Sequence, residues 1–192
     1  RVEAGGVSPN VATFVSAATV RINVLGRDDV DPTKAELETM KAQVADAMED
    51  GALGLTSALI YAPGTYAETE ELIELAKVAA RYGGLYTAHI RSEANQLLEA
   101  IDETLRIGRE AGLPVKIHHL KAGGQPNWDK IDLVIDRINA LRDEGVPVTA
   151  DMYTYIAGAT GLDAAMPTWV QAGGYEKWAE RLADPDTRAR VK

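Results

Sequence analysis

Two short apolar runs, thirty positions apart, restrict the fold of this chain more than any other feature. The first covers residues 85–88 and is followed by His89; the second covers residues 115–118 and is followed by His119. An interval of about thirty residues is the length of a strand, a crossover helix and a return strand. The spacing therefore predicts two neighbouring parallel strands, with both histidines at the carboxyl edge of one sheet.

Apolar runs and helical patterns alternate along most of the chain. Apolar runs begin near residues 11, 53, 85, 115 and 148, and a pattern with apolar spacings of three and four lies in each of the four intervals between them. Residues 16–27 show a less regular pattern. The alternation predicts an α/β protein with five parallel strands and four helices. It fits either an open doubly wound sheet or part of a (β/α)₈ barrel, since a whole barrel needs about 250 residues.

Local signals place the helix boundaries and faces. Asp31 and Pro32 predict the start of the first regular helix, because Asp caps free amides and Pro suits the first turn. Short helices are expected from about Asp163 onward, one of them starting near Asp184. The helix over 127–144 is predicted to bury one stripe, formed by Ile131, Val134, Ile135, Ile138 and Leu141.

Composition excludes several classes of function. The chain has 192 residues, of which 46% are hydrophobic and 26% charged, as in an ordinary globular domain. A formal charge of −9 argues against a nucleic-acid partner. No apolar run approaches the roughly 20 residues of a membrane span, and the first residues do not resemble a signal peptide. The absence of cysteine suits a cytoplasmic protein and leaves His, Asp and Glu as metal ligands.

The predicted strand ends carry a set of groups suited to a hydrolytic metal site. Neutral imidazole is a good ligand for Zn²⁺, and a catalytic zinc uses three protein ligands, of which this pattern supplies two. Zinc activates water and polarises a carbonyl, which favours hydrolysis of an amide, ester or cyclic imide. The groups expected at one rim are Tyr61, His89, Arg91, Glu93, His119, Lys121, Asp151 and Tyr153.

Plainer interpretations of the same residues stay open. A histidine at a strand end can cap a loop, and either tyrosine can be an ordinary amphipathic ring. Arg91 and Glu93 can form a surface pair at a helix start, and Asp151 can be a ligand, an orienting group or a loop cap. His118 precedes His119 on the predicted strand, so alternation predicts a structural side chain on the opposite face of the sheet.

Several stretches in this order and spacing resemble the N-acyl-D-amino-acid deacylases, or D-aminoacylases, a branch of the amidohydrolase superfamily. The resemblance runs from about residue 10 to the end of the chain. It is carried by residues 51–57 (GALGLTS), 59–64 (LIYAPG), 82–93 (YGGLYTAHIRSE), 119–121 (HLK) and 149–153 (TADMY).

The resemblance implies that residues 1–192 are the central part of a distorted catalytic (β/α)₈ barrel, from about its third to its seventh strand, with the flanking parts of the enzyme absent. His89 and His119 resemble the imidazole ligands of the family's zinc. Lys121, Tyr61 and Tyr153 would bind the carboxylate and acyl carbonyl of an N-acyl-D-amino acid. From their positions at the strand ends alone, Arg91, Glu93 and Asp151 are further candidates for residues that orient the metal ligands. The oligomeric state is left open.

The chain also departs from the family pattern. It lacks the first-strand His-x-His pair, the bridging metal ligand and the general-base Asp of the eighth strand, so no catalytic residue is expected here and the chain alone is expected to be inactive. Ser16 to Ala18 stand where the family has Gly-His-Gly, and Ala159 stands where it has serine. Two alternatives remain: a related amidohydrolase acting on cyclic amides, such as a hydantoinase or dihydroorotase, and a non-catalytic open α/β binding module.

Overall fold

A single parallel sheet organises the computed structural model, which describes residues 2–191, with side chains from residue 4 onward. Its strands pair in chain order, each parallel to the next. The predicted α/β class and the parallel sheet are confirmed. The strands are β1 (Val15–Ser16), β2 (Gly54–Ala58), β3 (Leu85–His89), β4 (Val115–Ile117) and β5 (Val148–Ala150).

The helices that connect the strands form one layer. The described helices are α1 (Val2–Gly5), α2 (Ala17–Leu25), α3 (Lys34–Glu49), α4 (Thr69–Arg81), α5 (Leu97–Ala111), α6 (Lys130–Asp143), α7 (Thr168–Gln171), α8 (Tyr175–Ala183) and α9 (Pro185–Val191), with 3₁₀ turns at Gly64–Tyr66, Gln125–Asn127 and Leu162–Ala165. From α2 to α6, each helix packs against the next. Within the described part of the chain, none of these helices has the length and apolar character needed to cross a membrane.

The strand order separates the two architectures that the sequence allowed. In a doubly wound sheet the order reverses at a switch point, and helices cover both faces. Here the order is sequential, so right-handed crossovers place α3 to α6 on the same face. This arrangement is consistent with part of a (β/α)₈ barrel.

The two faces of the sheet differ in chemistry. Leu55, Tyr86, Ala88, Val115 and Ile117 point toward the helices and are at most 1% exposed. Tyr86 donates to or accepts from the Ser57 hydroxyl at 2.6 Å, and burial raises the pKa of Tyr86. The opposite face carries polar side chains from alternate positions, namely Thr87, Lys116 and Thr149.

The segment 16–27 is the largest departure from the predicted elements. It forms α2, whose N-terminus is capped by the Ser16 hydroxyl accepting from the Thr19 amide. The buried side of α2 consists of Ala17, Val20 and Arg21, so a charged residue interrupts the apolar pattern. The strand expected over 11–15 is limited to Val15 and Ser16.

Smaller corrections concern helix starts and one helix face. The start at Asp31 is wrong: α3 begins after Thr33, which forms a capping box with Glu36, so the reciprocal side-chain bonds fix the start. The start of the later helix at residue 127 is also wrong, because 125–127 form a 3₁₀ turn. Ile135 is 47% exposed, because the side of α6 that packs on the core carries Ile131, Val134, Ile138 and Leu141.

Candidate metal-binding site

The carboxyl ends of β3 and β4 bring His89 and His119 together. His89 is the last residue of β3, and His119 lies two residues beyond the end of β4. Their ring centroids are 4.5 Å apart in an edge-to-face arrangement. The spacing argument therefore located both rings at the same edge of the sheet.

One nitrogen of His89 has no protein partner. Its Nε2 atom is buried and makes no hydrogen bond. Burial lowers the pKa of His89, and the neighbouring His119 and Lys121 act in the same direction, against the opposing charge of Glu93. The imidazole is thus neutral near pH 7 and offers a lone pair, which is the form that binds a metal ion.

Glu93 lies between His119 and Lys121. Its Oε1 accepts a hydrogen bond from Lys121 Nζ at 2.5 Å and lies 2.8 Å from His119 Nδ1. Lys121 Nζ is in turn 2.9 Å from His119 Nδ1. One ligand atom each from His89, Glu93 and His119 can be chosen within 4.8 Å of one another. This donor set, two imidazoles and a carboxylate, suits Zn²⁺.

The loop after β4 has an unusual backbone at His119. Its φ is 39°, in the left-handed region that residues with a side chain rarely adopt. The His119 amide donates to Asp151 Oδ1 at 2.6 Å. This hydrogen bond is the main cause that lowers the pKa of Asp151, with Lys116 and His118 contributing. Asp151 is therefore ionised where it binds the loop.

The structure overturns the expectation that His118 and His119 lie on opposite faces of the sheet. The rings of His118 and His119 are 6.2 Å apart and do not project to opposite faces. His118 Nε2 lies 2.5 Å from Thr87 Oγ1, and its Nδ1 lies 3.2 Å from Asp151 Oδ2. Alternation failed here because β4 ends at Ile117 and His119 turns left-handed. The structural role predicted for His118 fits these two contacts.

A cavity of about 160 Å³ lies beside the two histidines. The Tyr61 ring is 5.1 Å from the His89 ring, and the Tyr153 ring is 6.5 Å from the His119 ring. Lys121 Nζ lies 5.3 Å from the centroid of the Tyr153 ring. Six of the predicted rim residues line this cavity: Tyr61, His89, Glu93, His119, Lys121 and Tyr153.

Sequence reasoning missed part of the cavity wall. Ile60, Gly158, Ala159 and Thr160 also line it, and the Tyr61 and Thr160 hydroxyls are 2.5 Å apart. Thr160 is 99 positions from Tyr61, in an irregular loop. No periodic pattern could have placed it there, although the earlier comparison of Ala159 with the family's serine drew attention to this loop.

Two predicted residues lie outside the cavity lining. Arg91 makes hydrogen bonds to both Glu103 oxygens and to the carbonyls of Thr65 and Ala67. Burial works against its charge, but the bonds to Glu103 outweigh burial and raise the pKa of Arg91. Arg91 thus ties the loop after β2 to α5, and the alternative of a surface pair with Glu93 is not what the structure has. Asp151 lies beneath the loop of His119.

Comparison with known proteins places this site in a family context. No family model matches the chain. It is 38% identical to an N-acyl-D-glutamate deacylase of Alcaligenes xylosoxydans xylosoxydans over 153 residues, and 36% identical to a D-aminoacylase of that organism over 153 residues. Over four fifths of its length, the chain is thus similar in sequence to N-acyl-D-amino-acid deacylases. The matches cover 80% of this chain but 31% of each relative, so the chain spans about a third of these deacylases.

Solved deacylase structures share the fold. The N-acyl-D-glutamate deacylase of Bordetella bronchiseptica matches with a TM-score of 0.73 and 38% identity, over 76% of this chain and 31% of that one. That crystal structure is a complex with zinc and a phosphonate inhibitor that mimics the tetrahedral intermediate. A D-aminoacylase described as defining a novel subset of amidohydrolases matches with a TM-score of 0.69 and 35% identity, over 73% of this chain and 30% of that one.

Proposed function

We propose that this chain is the central part of the barrel of a zinc-dependent enzyme, which hydrolyses the amide bond of N-acyl-D-amino acids to a carboxylate and a D-amino acid. The observation that carries the proposal is the paired His89 and His119 rings beside a cavity containing Lys121, in a chain 38% identical to an N-acyl-D-glutamate deacylase. The sequential strand order and the coverage of about a third of the relatives support the assignment to part of a barrel.

His89 and His119 are the proposed zinc ligands. The unpaired, buried Nε2 of His89 fits such a role, since a buried polar atom otherwise requires a hydrogen-bond partner. Zinc, when bound, supplies a Lewis acid that activates water and polarises the acyl carbonyl. Glu93 holds the Lys121 ammonium and the His119 ring in one network, which keeps the ring oriented toward His89.

Lys121, Tyr61 and Tyr153 are the proposed substrate-binding residues. Lys121 presents the one side-chain ammonium of the described cavity lining, where it can attract the substrate carboxylate. The phenol groups stand on either side of the histidine pair, within 6.5 Å between ring centroids, and can donate hydrogen bonds to carboxylate or carbonyl oxygens. Glu93 neutralises Lys121 in the absence of substrate, so the carboxylate would share the ammonium with Glu93.

Zinc content and substrate chirality test the proposal in the full-length protein. We expect at least one zinc ion per chain. We also expect the protein to release acetate from N-acetyl-D-amino acids but not from their L-enantiomers. His89→Ala and His119→Ala are expected to lower zinc affinity at least 100-fold. Tyr82→Ala removes an exposed ring at the opposite end of the sheet and serves as the matched control. Normal zinc binding in both histidine variants, or turnover of cyclic amides instead, would overturn the proposal.

A further inference from the structure

We infer that Asp151 is the positioning residue that holds His119 in its metal-facing conformation, with His118 as the brace between Asp151 and β3. The inference rests on the proposed function, since it concerns how His119 is presented to a metal ion. The Asp151 side chain contacts the backbone of His119 and not its ring. Asp151 therefore acts on the ring through the conformation of the loop after β4.

Main-chain and side-chain atoms of Asp151 together grip the loop on both sides of His119. Oδ1 accepts from the His119 amide at 2.6 Å. The Asp151 carbonyl accepts from the Leu120 amide at 2.8 Å, and its own amide donates to the Ile117 carbonyl at 3.1 Å. Asp151, which directly follows β5, is thus bonded to the turn at residues 117, 119 and 120.

The left-handed backbone of His119 explains why such a grip is required. At φ 39° the Cβ of a non-glycine residue is crowded, so the conformation persists only where neighbouring contacts enforce it. The same turn carries the His119 ring to within 4.5 Å of the His89 ring. Releasing the amide from Asp151 would free the loop to relax to an ordinary strand exit, and the two rings would separate.

Both ring nitrogens of His118 make contacts that connect Asp151 to β3. Nε2 contacts Thr87 Oγ1 on β3, and Nδ1 contacts Asp151 Oδ2 beyond β5. The imidazole therefore spans β4 and fixes the carboxylate relative to the strand that carries His89. Lys116 Nζ lies 2.9 Å from the same Oδ2 and places a positive charge beside the carboxylate. His118 and Lys116 both contact Oδ2, whereas Oδ1 accepts the hydrogen bond from the His119 amide.

The test compares Asp151→Ala with Asp151→Asn/Lys116→Met in the full-length protein. Alanine removes the acceptor, whereas asparagine keeps a carbonyl oxygen for the His119 amide, and Lys116→Met removes the ammonium that would repel its amino group. We expect Asp151→Ala to weaken zinc binding about 10- to 100-fold, the usual effect of losing a group that orients a metal ligand. The double variant and Lys116→Met alone should stay within about threefold of wild type.

Co²⁺ spectroscopy supplies a second readout that is independent of turnover. Substituted Co²⁺ should show altered visible absorption in Asp151→Ala and a wild-type spectrum in the double variant. If Asp151→Ala retains wild-type zinc affinity and spectrum, the inference is overturned while the proposed function stands. If Asp151→Ala does not fold, the double variant decides: wild-type affinity supports the inference and lost affinity overturns it. A wild-type protein that binds no zinc overturns both.

Discussion

The two faces of the sheet show how differently stability and chemistry are specified in this chain. The face under the helices is closed and apolar, with Leu55, Tyr86 and Ile117 fully buried. The other face and its carboxyl edge are polar, and their side chains bond across strands, as Lys116 does with Asp151. The first face follows from local alternation, whereas the second depends on partners far away in sequence. Changes on the first face should alter folding, and changes at the edge should alter binding.

The buried ion pair of Arg21 and Glu71 tests the division between stability and binding, because its residues are charged yet lie in the interior. Arg21 is 1% exposed; its guanidinium donates to Glu71 Oε2 at 2.5 Å and to the Val30 carbonyl. Burial raises the pKa of Glu71 despite this partner. Arg21→Met leaves a buried carboxylate unpaired and should cost roughly 3–5 kcal/mol of unfolding free energy. Arg21→Met/Glu71→Gln should recover part of that loss in denaturant titration; no recovery would contradict the assigned ion pair.

Ile117→Ala tests the apolar face alone. The Ile117 side chain is fully buried against the helices, and the residue directly precedes His118 and His119 in the chain. The change should cost about 2–5 kcal/mol in chemical unfolding. Thr149→Ala, on the polar face, should cost no more than about 0.5 kcal/mol. Equal costs for the two variants would show that the faces do not differ as described.

Lys121→Met sharpens the comparison from the binding side. Loss of the ammonium should raise KM for N-acyl-D-amino acids about 10- to 100-fold, because a charge-assisted hydrogen bond to the substrate carboxylate is removed. The melting temperature should change little, since the side chain lies at the cavity and not in the core. Lys177→Met removes an exposed lysine from α8 and is the control. A KM that matches that of the control would exclude Lys121 from substrate binding.

Thr33→Ala should have the smallest of these effects. The Thr33 hydroxyl accepts from the Glu36 amide at the start of α3, on the helix layer. Removing this cap should cost about 1 kcal/mol in thermal or chemical unfolding, without affecting zinc binding. Asp31→Ala, at the helix start predicted from the sequence, should lower the unfolding free energy less than Thr33→Ala does. A larger loss for Asp31→Ala would indicate that the helix starts at Asp31 after all.

Local patterns were sufficient for the elements that are both regular and amphipathic. β2 and β3 begin within one residue of the apolar runs at 53 and 85, and α4 and α5 lie where helical patterns separate the predicted strands. α2 was missed because Arg21 occupies its buried side, so its apolar periodicity is weak. The charge is tolerated there through Glu71, fifty positions later, which no local window contains.

The site was predictable as a set of residues but not as a geometry. The thirty-residue interval was enough to place His89 and His119 at one edge, since it is fixed by strand and helix lengths. The relative direction of His118 and His119 was predicted wrongly, because the left-handed turn at His119 ends the alternation. The pairing of Arg91 with Glu103 depends on the packing of α5, and the contact of Tyr61 with Thr160 depends on a distant loop.

Anomalous diffraction at the zinc edge, from crystals of the full-length protein, tests the central claim most directly. We predict one strong peak about 2.0–2.1 Å from a ring nitrogen of His89 and from a ring nitrogen of His119, the usual zinc–imidazole distance. A zinc peak bound to only one of the two rings, or located elsewhere while both rings remain free, would contradict the account.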